Sequence, residues 1–244
     1  MILEAPVFTI EAALKAASYG VHRLELCSDF GEGGETPSVG ALSYLKEKIN
    51  IPIFVMIRPR GGDFIYTSEE LEVMRRDIRI LKSFGADGFV FGVLNQDGRV
   101  DQKACKLLLD EAEGLPCTFH RAFDICRDKE EAIETLISLG FKRILTSGGE
   151  NTAALGLSNI LQYMIQAAGR IIILPGGGSK VEHIGLLKAS GQLKEIHASC
   201  KTYRPSTSLY RHPKVSLSND QATFHQVLTI DEAIVREFLN EMQG

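Results

Sequence analysis

Short runs of apolar, β-branched and aromatic residues alternate along this chain with longer stretches in which apolar residues recur every three or four positions. The runs fall at residues 2–5, 23–26, 51–57, 88–93, 117–120, 143–146, 171–174 and 195–197, eight in all. Stretches such as 9–18, 68–84, 129–139 and 153–167 carry the period of amphipathic helices. Thr9 and Ser68 supply capping hydroxyls followed by early acids, and Gly20, Gly85 and Gly140 sit where a helix has to stop. One junction follows Tyr19, Phe84 and Leu139 alike: a glycine, two linking residues, then a strand.

Strands that alternate with helices pair in parallel, because each crossover helix returns the chain to the same sheet edge. A closed barrel and a doubly wound open sheet both satisfy this. Eight strands in 244 residues favour the α/β closed (β/α)8 barrel of TIM type. No G-x-G-x-x-G turn follows the first strand, which removes the main support for a dinucleotide-binding sheet. The barrel is expected over residues 1–200. Between 201 and 229 the periodicity fails among Pro205, Pro213 and many Ser, Thr and Asn residues, and a helix resumes at 231–242. Residues 201–244 therefore read as an irregular excursion and a C-terminal helix completing the same domain. The excursion follows the last strand, which places it at the barrel mouth; a lid and a contact with a second copy are both open.

Composition narrows the function classes. Hydrophobic residues make up 44% and charged residues 24%, as in an ordinary soluble protein. With 27 Lys and Arg against 31 Asp and Glu, a net charge of -4 gives no pull toward nucleic acid or an anionic membrane. The N-terminal run carries Glu4 and no basic segment, so it is not a secretory signal, and no apolar stretch reaches the roughly 20 residues of a membrane span. Five scattered cysteines without a CxxC pair suit reduced thiols in the cytoplasm.

In a strand covered on both sides, a polar residue between two apolar ones points into the barrel. That parity turns Glu4, Glu25, His120 and His197 inward. The third strand ends in Arg58, Arg60 and Asp63. Buried carboxylates need cations, and Arg58 and Arg121 are the expected partners of Glu4 and Glu25. A salt-bridged plug without chemistry is one outcome; a site at the C-terminal ends of the strands is the other. Two glycine-rich turns add to the second: Gly176, Gly177 and Gly178 after the seventh strand, and Ser147 with Gly148 and Gly149 after the sixth. Their backbone N–H groups converge on an anion at a helix N-terminus, or the turns simply need positive φ. His22, His183, His212 and His225 fall in loops or helices and carry no expected role.

Several blocks are distinctive: residues 23–28, 32–38, 54–64, 118–124, 145–148 and 175–178, reading RLELCS, EGGETPS, FVMIRPRGGDF, TFHRAFD, LTSG and PGGG. Together they resemble the CutC family from about residue 2 to residue 199. The resemblance implies a TIM-type barrel, a homodimer or higher homo-oligomer, and copper homeostasis with binding of Cu(I). Cu(I) prefers soft sulfur ligands, and in the family cysteines at the ends of the first two strands are the proposed ligands. Cys27 matches the second position, whereas Ala5 stands at the first. Cys200, past the eighth strand, and His197 are the expected replacements. The inward set points elsewhere: its carboxylates, guanidiniums and imidazoles suit a phosphorylated or carboxylated metabolite. Arg58, Arg60 and residues 175–178 would take the anion, and Glu25 and His120 would form a proton-transfer pair. Copper handling, a barrel enzyme and a partner-binding scaffold remain open at this stage.

Overall fold

The computed structural model describes residues 1–215, 217 and 224–244. Its barrel strands are β1 (Ile2–Val7), β2 (Arg23–Leu26), β3 (Ile53–Met56), β4 (Gly88–Phe91), β5 (Cys117–Phe119), β6 (Arg143–Thr146), β7 (Ile172–Pro175) and β8 (Glu195–His197). Between them run α1 (Ile10–Tyr19), α2 (Val39–Lys46), α3 (Ser68–Ser83), α4 (Gln102–Glu111), α5 (Lys129–Leu139), α6 (Leu157–Ala167) and α7 (Glu182–Lys188). The sheet is parallel, in the order β7-β6-β5-β4-β3-β2-β1-β8. The barrel is nearly closed. β7 and β8 lie side by side, but among the described residues no strand ladder joins them, and a cleft of about 360 Å³ lined by Ile172, Gly191 and Lys194 opens nearby.

Local signals set the element ends. Thr9 caps α1 by accepting from the Ala12 N–H, and Gly20 and Gly140 end α1 and α5 in the left-handed conformation. The α3 cap is Thr67 rather than Ser68: its hydroxyl accepts from the Glu70 N–H while the Glu70 carboxylate accepts from the Thr67 N–H. α6 begins at Leu157, later than the periodicity from 153 predicts, because the segment before it packs backbone to backbone on the turn after β6. A Cβ on Gly156 would lie 1.9 Å from the Ser147 carbonyl oxygen.

The alternation of side chains divides the barrel into two layers. Leu3, Ala5, Leu24, Leu26, Ile53, Val55, Phe89, Phe91, Ile144, Ile173 and Ile196 join the helices in one apolar cluster. The opposite face of the same strands fills the interior. There Arg23 bonds to Glu4 and Glu195, and Arg143 reaches Glu195 at 3.0 and 3.2 Å. Both guanidiniums lie over the Phe54 ring, at 4.7 and 5.0 Å from its centroid. Gly88 leaves room for that ring, since a Cβ there would meet Phe54 Cζ at 2.7 Å.

The segment after residue 200 is more ordered than its composition predicts. β9 (Lys201–Pro205) and β10 (Gln226–Ile230) pair antiparallel, Lys201 opposite Ile230. This ribbon packs on α1: the Thr9 hydroxyl donates to Leu228 O, and Arg204 bonds to Glu11. α8 (Glu232–Gln243), capped by Asp231, packs on α1 and α7. Tertiary partners stabilise strands that no hydrophobic alternation announces. The middle of the expected excursion, 216 and 218–223, lies outside the described residues.

Candidate functional site

A cavity of about 290 Å³ opens at the C-terminal ends of the strands, lined by Glu25, Glu32, Gly33, Met56, Arg58, Phe64, His120, Arg121, Leu145, Gly177 and His197. Eight strands converge here, so residues 172 positions apart in sequence become neighbours.

Glu25 from β2, His197 from β8 and Glu4 from β1 form a line. His197 Nδ1 bonds to Glu4 Oε1 at 2.8 Å, and its Nε2 lies 3.8 Å from Glu25 Oε2. Among the described residues Glu25 Oε1, which is buried, has no hydrogen-bond partner. Burial pushes the Glu4 pKa up, but Arg23 and His197 outweigh it and hold the group at about 2. Glu25 has no arginine in contact. Burial, opposed by His197 and reinforced by the Glu4 charge, pushes it up to about 7. Burial works to lower the His197 pKa, while the Glu4 hydrogen bond and the two carboxylate charges raise it above its ordinary value.

Arg23, not Arg58 or Arg121, is thus the cation that meets Glu4, and Glu4 sits beneath the cavity rather than on its wall. The same parity rule that turns Glu25 inward also turns Arg23 inward, two positions earlier on the strand. Glu195 and Arg143 carry the same signal.

His120, at the end of β5, is buried and faces the Phe64 ring with centroids 4.7 Å apart. Burial and the Arg58 charge push its pKa down to about 3, so the ring is neutral. Its Nδ1 accepts from the Ala122 N–H at 3.2 Å, which leaves the proton on Nε2; that atom has no partner among the described residues. Gly92 makes this possible, because a Cβ there would lie 2.7 Å from the imidazole. Glu25 and His120 line one cavity without touching.

Arg58 is only 6% exposed, and its guanidinium donates to three backbone carbonyls: Glu32 at 2.6 Å, Gly34 at 3.0 Å and Gly62 at 2.9 Å. No carboxylate pairs with it among the described residues. Arg60 and Asp63 lie elsewhere. Arg60 is held by Glu70 at 2.6 Å and Asp63 at 3.1 Å, and neither Arg60 nor Asp63 lines the cavity.

Arg121 lines the cavity from the opposite side. Its Nε donates to Asp124 at 2.8 Å and its Nη2 to the Ser147 hydroxyl at 2.6 Å. Asp124 fills the nest expected for an outside anion: it accepts from the Ser147 and Gly149 N–H groups and from the hydroxyls of Thr146 and Ser147. Ser147 therefore serves Asp124 and Arg121, not a ligand directly. Nor do Gly176, Gly177 and Gly178 open a helix, because α7 starts at Glu182. The Gly176 N–H bonds to Thr146 O, Gly177 lies against Arg121, and Gly178 lies against Thr152.

The cysteines are not gathered. Cys27 packs inside the barrel with Phe54, Met56 and Val90. Burial first, then the Glu25 and Glu4 charges, push its thiol well up. Cys200 belongs to the helix-facing layer, and its carbonyl accepts from the Asp231 N–H. Ala5 faces that layer too. Both His197 nitrogens face carboxylates. Among the described residues no group of three or more His, Cys, Asp and Glu is arranged to hold a metal ion, and Cys27 and Cys200, in opposite layers, do not form the expected copper pair.

The buried Glu25 carboxyl has a consequence for stability. A folded-state pKa raised from 4.5 to about 7 means that the folded protein binds the proton more tightly than the unfolded chain, so this group's contribution falls as pH rises through that window. Glu25→Gln removes the effect. Urea denaturation across pH 4 to 8 is expected to show the variant gaining on wild type up to about pH 7, by on the order of 3 kcal/mol, and then holding level. A difference flat with pH would mean that Glu25 is well solvated.

A family model described as the CutC family matches residues 1–202. A human protein named copper homeostasis protein cutC homolog is 45% identical over 216 residues, 88% of this chain and 79% of the relative. A family protein CutC of Klebsiella pneumoniae is 43% identical over 219 residues, 90% of this chain and 88% of the relative. Among solved structures, a chain described as a copper homeostasis protein CutC from Streptococcus agalactiae superposes with a TM-score of 0.76 at 33% identity, covering 82% of this chain and 98% of that one. The blocks around Glu25, Arg58 and His120 fall within the matched span, and the chain belongs to the CutC family of copper homeostasis proteins.

Proposed function

We propose that the barrel mouth of this CutC-family chain binds a small phosphorylated or carboxylated metabolite and performs acid–base chemistry on it, and that this is its part in copper homeostasis. The observation that carries this is Arg58: a buried guanidinium with no carboxylate partner, on the wall of a cavity at the catalytic end of a barrel. An unpaired buried charge is costly, and an incoming anion offsets that cost. Arg121, anchored on one side by Asp124, supplies a second positive group across the same cavity. Five buried free thiols support a reducing, cytoplasmic setting. No helix among the described residues is long and apolar enough to cross a membrane. Like the family, the chain is expected to assemble as a homo-oligomer.

Calorimetric titration with inorganic phosphate and malonate tests the anion, and anaerobic competition for Cu(I) against a chelator tests the ion. One saturable anion site is expected, weakened about tenfold to a hundredfold in Arg58→Met and in Arg121→Met. Cu(I) binding is expected to be no tighter than that of scattered thiols. Tight one-to-one Cu(I) binding lost in Cys27→Ala or Cys200→Ala, with no anion bound, would overturn this assignment and make copper the cargo.

A further inference from the structure

The groups facing the anion-binding arginines point to a more specific chemistry. Resting on the anion-binding assignment above, we propose that the ligand is a short hydroxycarbonyl compound with a terminal phosphate or carboxylate, and that Glu25 and His120 catalyse transfer of a proton between its two adjacent carbons.

Three features of the cavity carry this. The first is size: about 290 Å³ is enough for a skeleton of a few carbons with its charged end. The second is His120. A neutral imidazole with its proton fixed on Nε2 and no partner for it offers a hydrogen bond to an uncharged oxygen such as a carbonyl; an imidazolium would serve an anion instead. Gly92 and Phe64 hold the ring in that orientation. The third is Glu25, whose Oε1 is likewise unpartnered, while its other oxygen faces His197 and through it Glu4. Glu4, beneath the cavity, is a positioning residue: it acts on the Glu25 carboxyl group through His197.

The reaction balances without a co-reactant. Glu25 Oε1 takes the proton from the carbon that bears the hydroxyl. The C–H electron pair becomes a C=C bond, and the carbonyl π pair moves onto its oxygen, which His120 Nε2–H stabilises by hydrogen bonding. The hydroxyl proton passes to that oxygen, and Glu25 returns its own proton to the former carbonyl carbon, exchanging aldehyde for ketone. A general base of this kind contributes about 10²- to 10⁴-fold.

The test is proton NMR in D2O with glyceraldehyde 3-phosphate, dihydroxyacetone phosphate and hydroxypyruvate as probes, alongside calorimetric binding of the same three. Enzyme-dependent deuterium entry next to the carbonyl is expected for at least one probe. It should fall at least about 100-fold in Glu25→Gln while binding persists, and by a smaller factor in His120→Gln, which keeps an N–H donor. Glu25→Gln suits the purpose because it is expected to fold at least as stably as wild type at neutral pH. Binding that depends on Arg58 but brings no deuterium into any probe would overturn the proton transfer and leave the anion site standing. Failure of every probe and of phosphate to bind would overturn both.

Discussion

Arg23→Met is expected to lose about 3–5 kcal/mol of stability at pH 7. The side chain is 4% exposed and joins Glu4 and Glu195, so its removal leaves a carboxylate pair in the barrel floor short of one cation. Glu195 keeps Arg143, but Glu4 keeps only His197. Truncating one partner of a buried ion network costs more than the network itself contributes, because the remaining charges stay desolvated. Acid should shrink the effect. Glu4 is held at about 2 in the folded protein, so the stability it adds is complete above its ordinary value of 4.5 and is lost between there and about pH 2. The gap between variant and wild type should therefore be widest above pH 4.5 and narrow below it. Urea unfolding followed by circular dichroism at pH 7 and pH 4 measures both. A loss below about 1 kcal/mol at pH 7 would mean that the interior charges are hydrated.

Gly156→Ala should cost about 3 kcal/mol, for a different reason. The added Cβ would lie 1.9 Å from Ser147 O and 2.8 Å from Gly148 Cα, and both are backbone atoms that cannot rotate aside. Gly148 is the reciprocal half of the contact: its φ is +79° and its own Cβ would sit 2.3 Å from Gly156 O. Relief requires the turn after β6 to move, and that turn supplies the N–H groups that hold Asp124, which in turn holds Arg121. The same segment bonds to the β7 turn through Ala153 N–H and Gly177 O. Anion affinity should therefore fall along with thermal stability. Gly185→Ala is the control: Gly185 is exposed in α7 with nothing near a new Cβ, and it should gain up to about 1 kcal/mol. Equal effects at the two glycines would remove the backbone contact as the cause.

Much of the site was legible along the chain because strand parity is a local property. Glu4, Glu25, His120 and His197 alternate with apolar neighbours, and each does face the interior. Parity says which face a residue takes but not what it meets there. Glu4 meets Arg23 rather than Arg58, because β1 and β2 pair with Glu4 opposite Arg23. Arg60 follows the end of β3, where alternation no longer applies, and it turns to Glu70 on α3. Cys27 and Cys200 each lie past their strands and enter opposite layers, as alternation requires of residues two positions beyond inward Glu25 and three beyond inward His197.

The glycine turns divide in the same way. Their composition announces left-handed backbone, found at Gly148, Gly149, Gly177 and Gly178. Whether the converging N–H groups await a ligand or are already filled depends on Asp124, more than twenty positions upstream.

What the sequence by itself determined is the order and kind of the barrel elements and the inward set of side chains, because periodicity, capping and alternation act between residues a few positions apart. Tertiary structure alone decided which charges pair, which are left without partners at the mouth, and that the segment after residue 200 forms a ribbon on α1. Those outcomes depend on strand register and on closure around the barrel, which bring together groups separated by up to 193 positions, as Glu4 and His197 are.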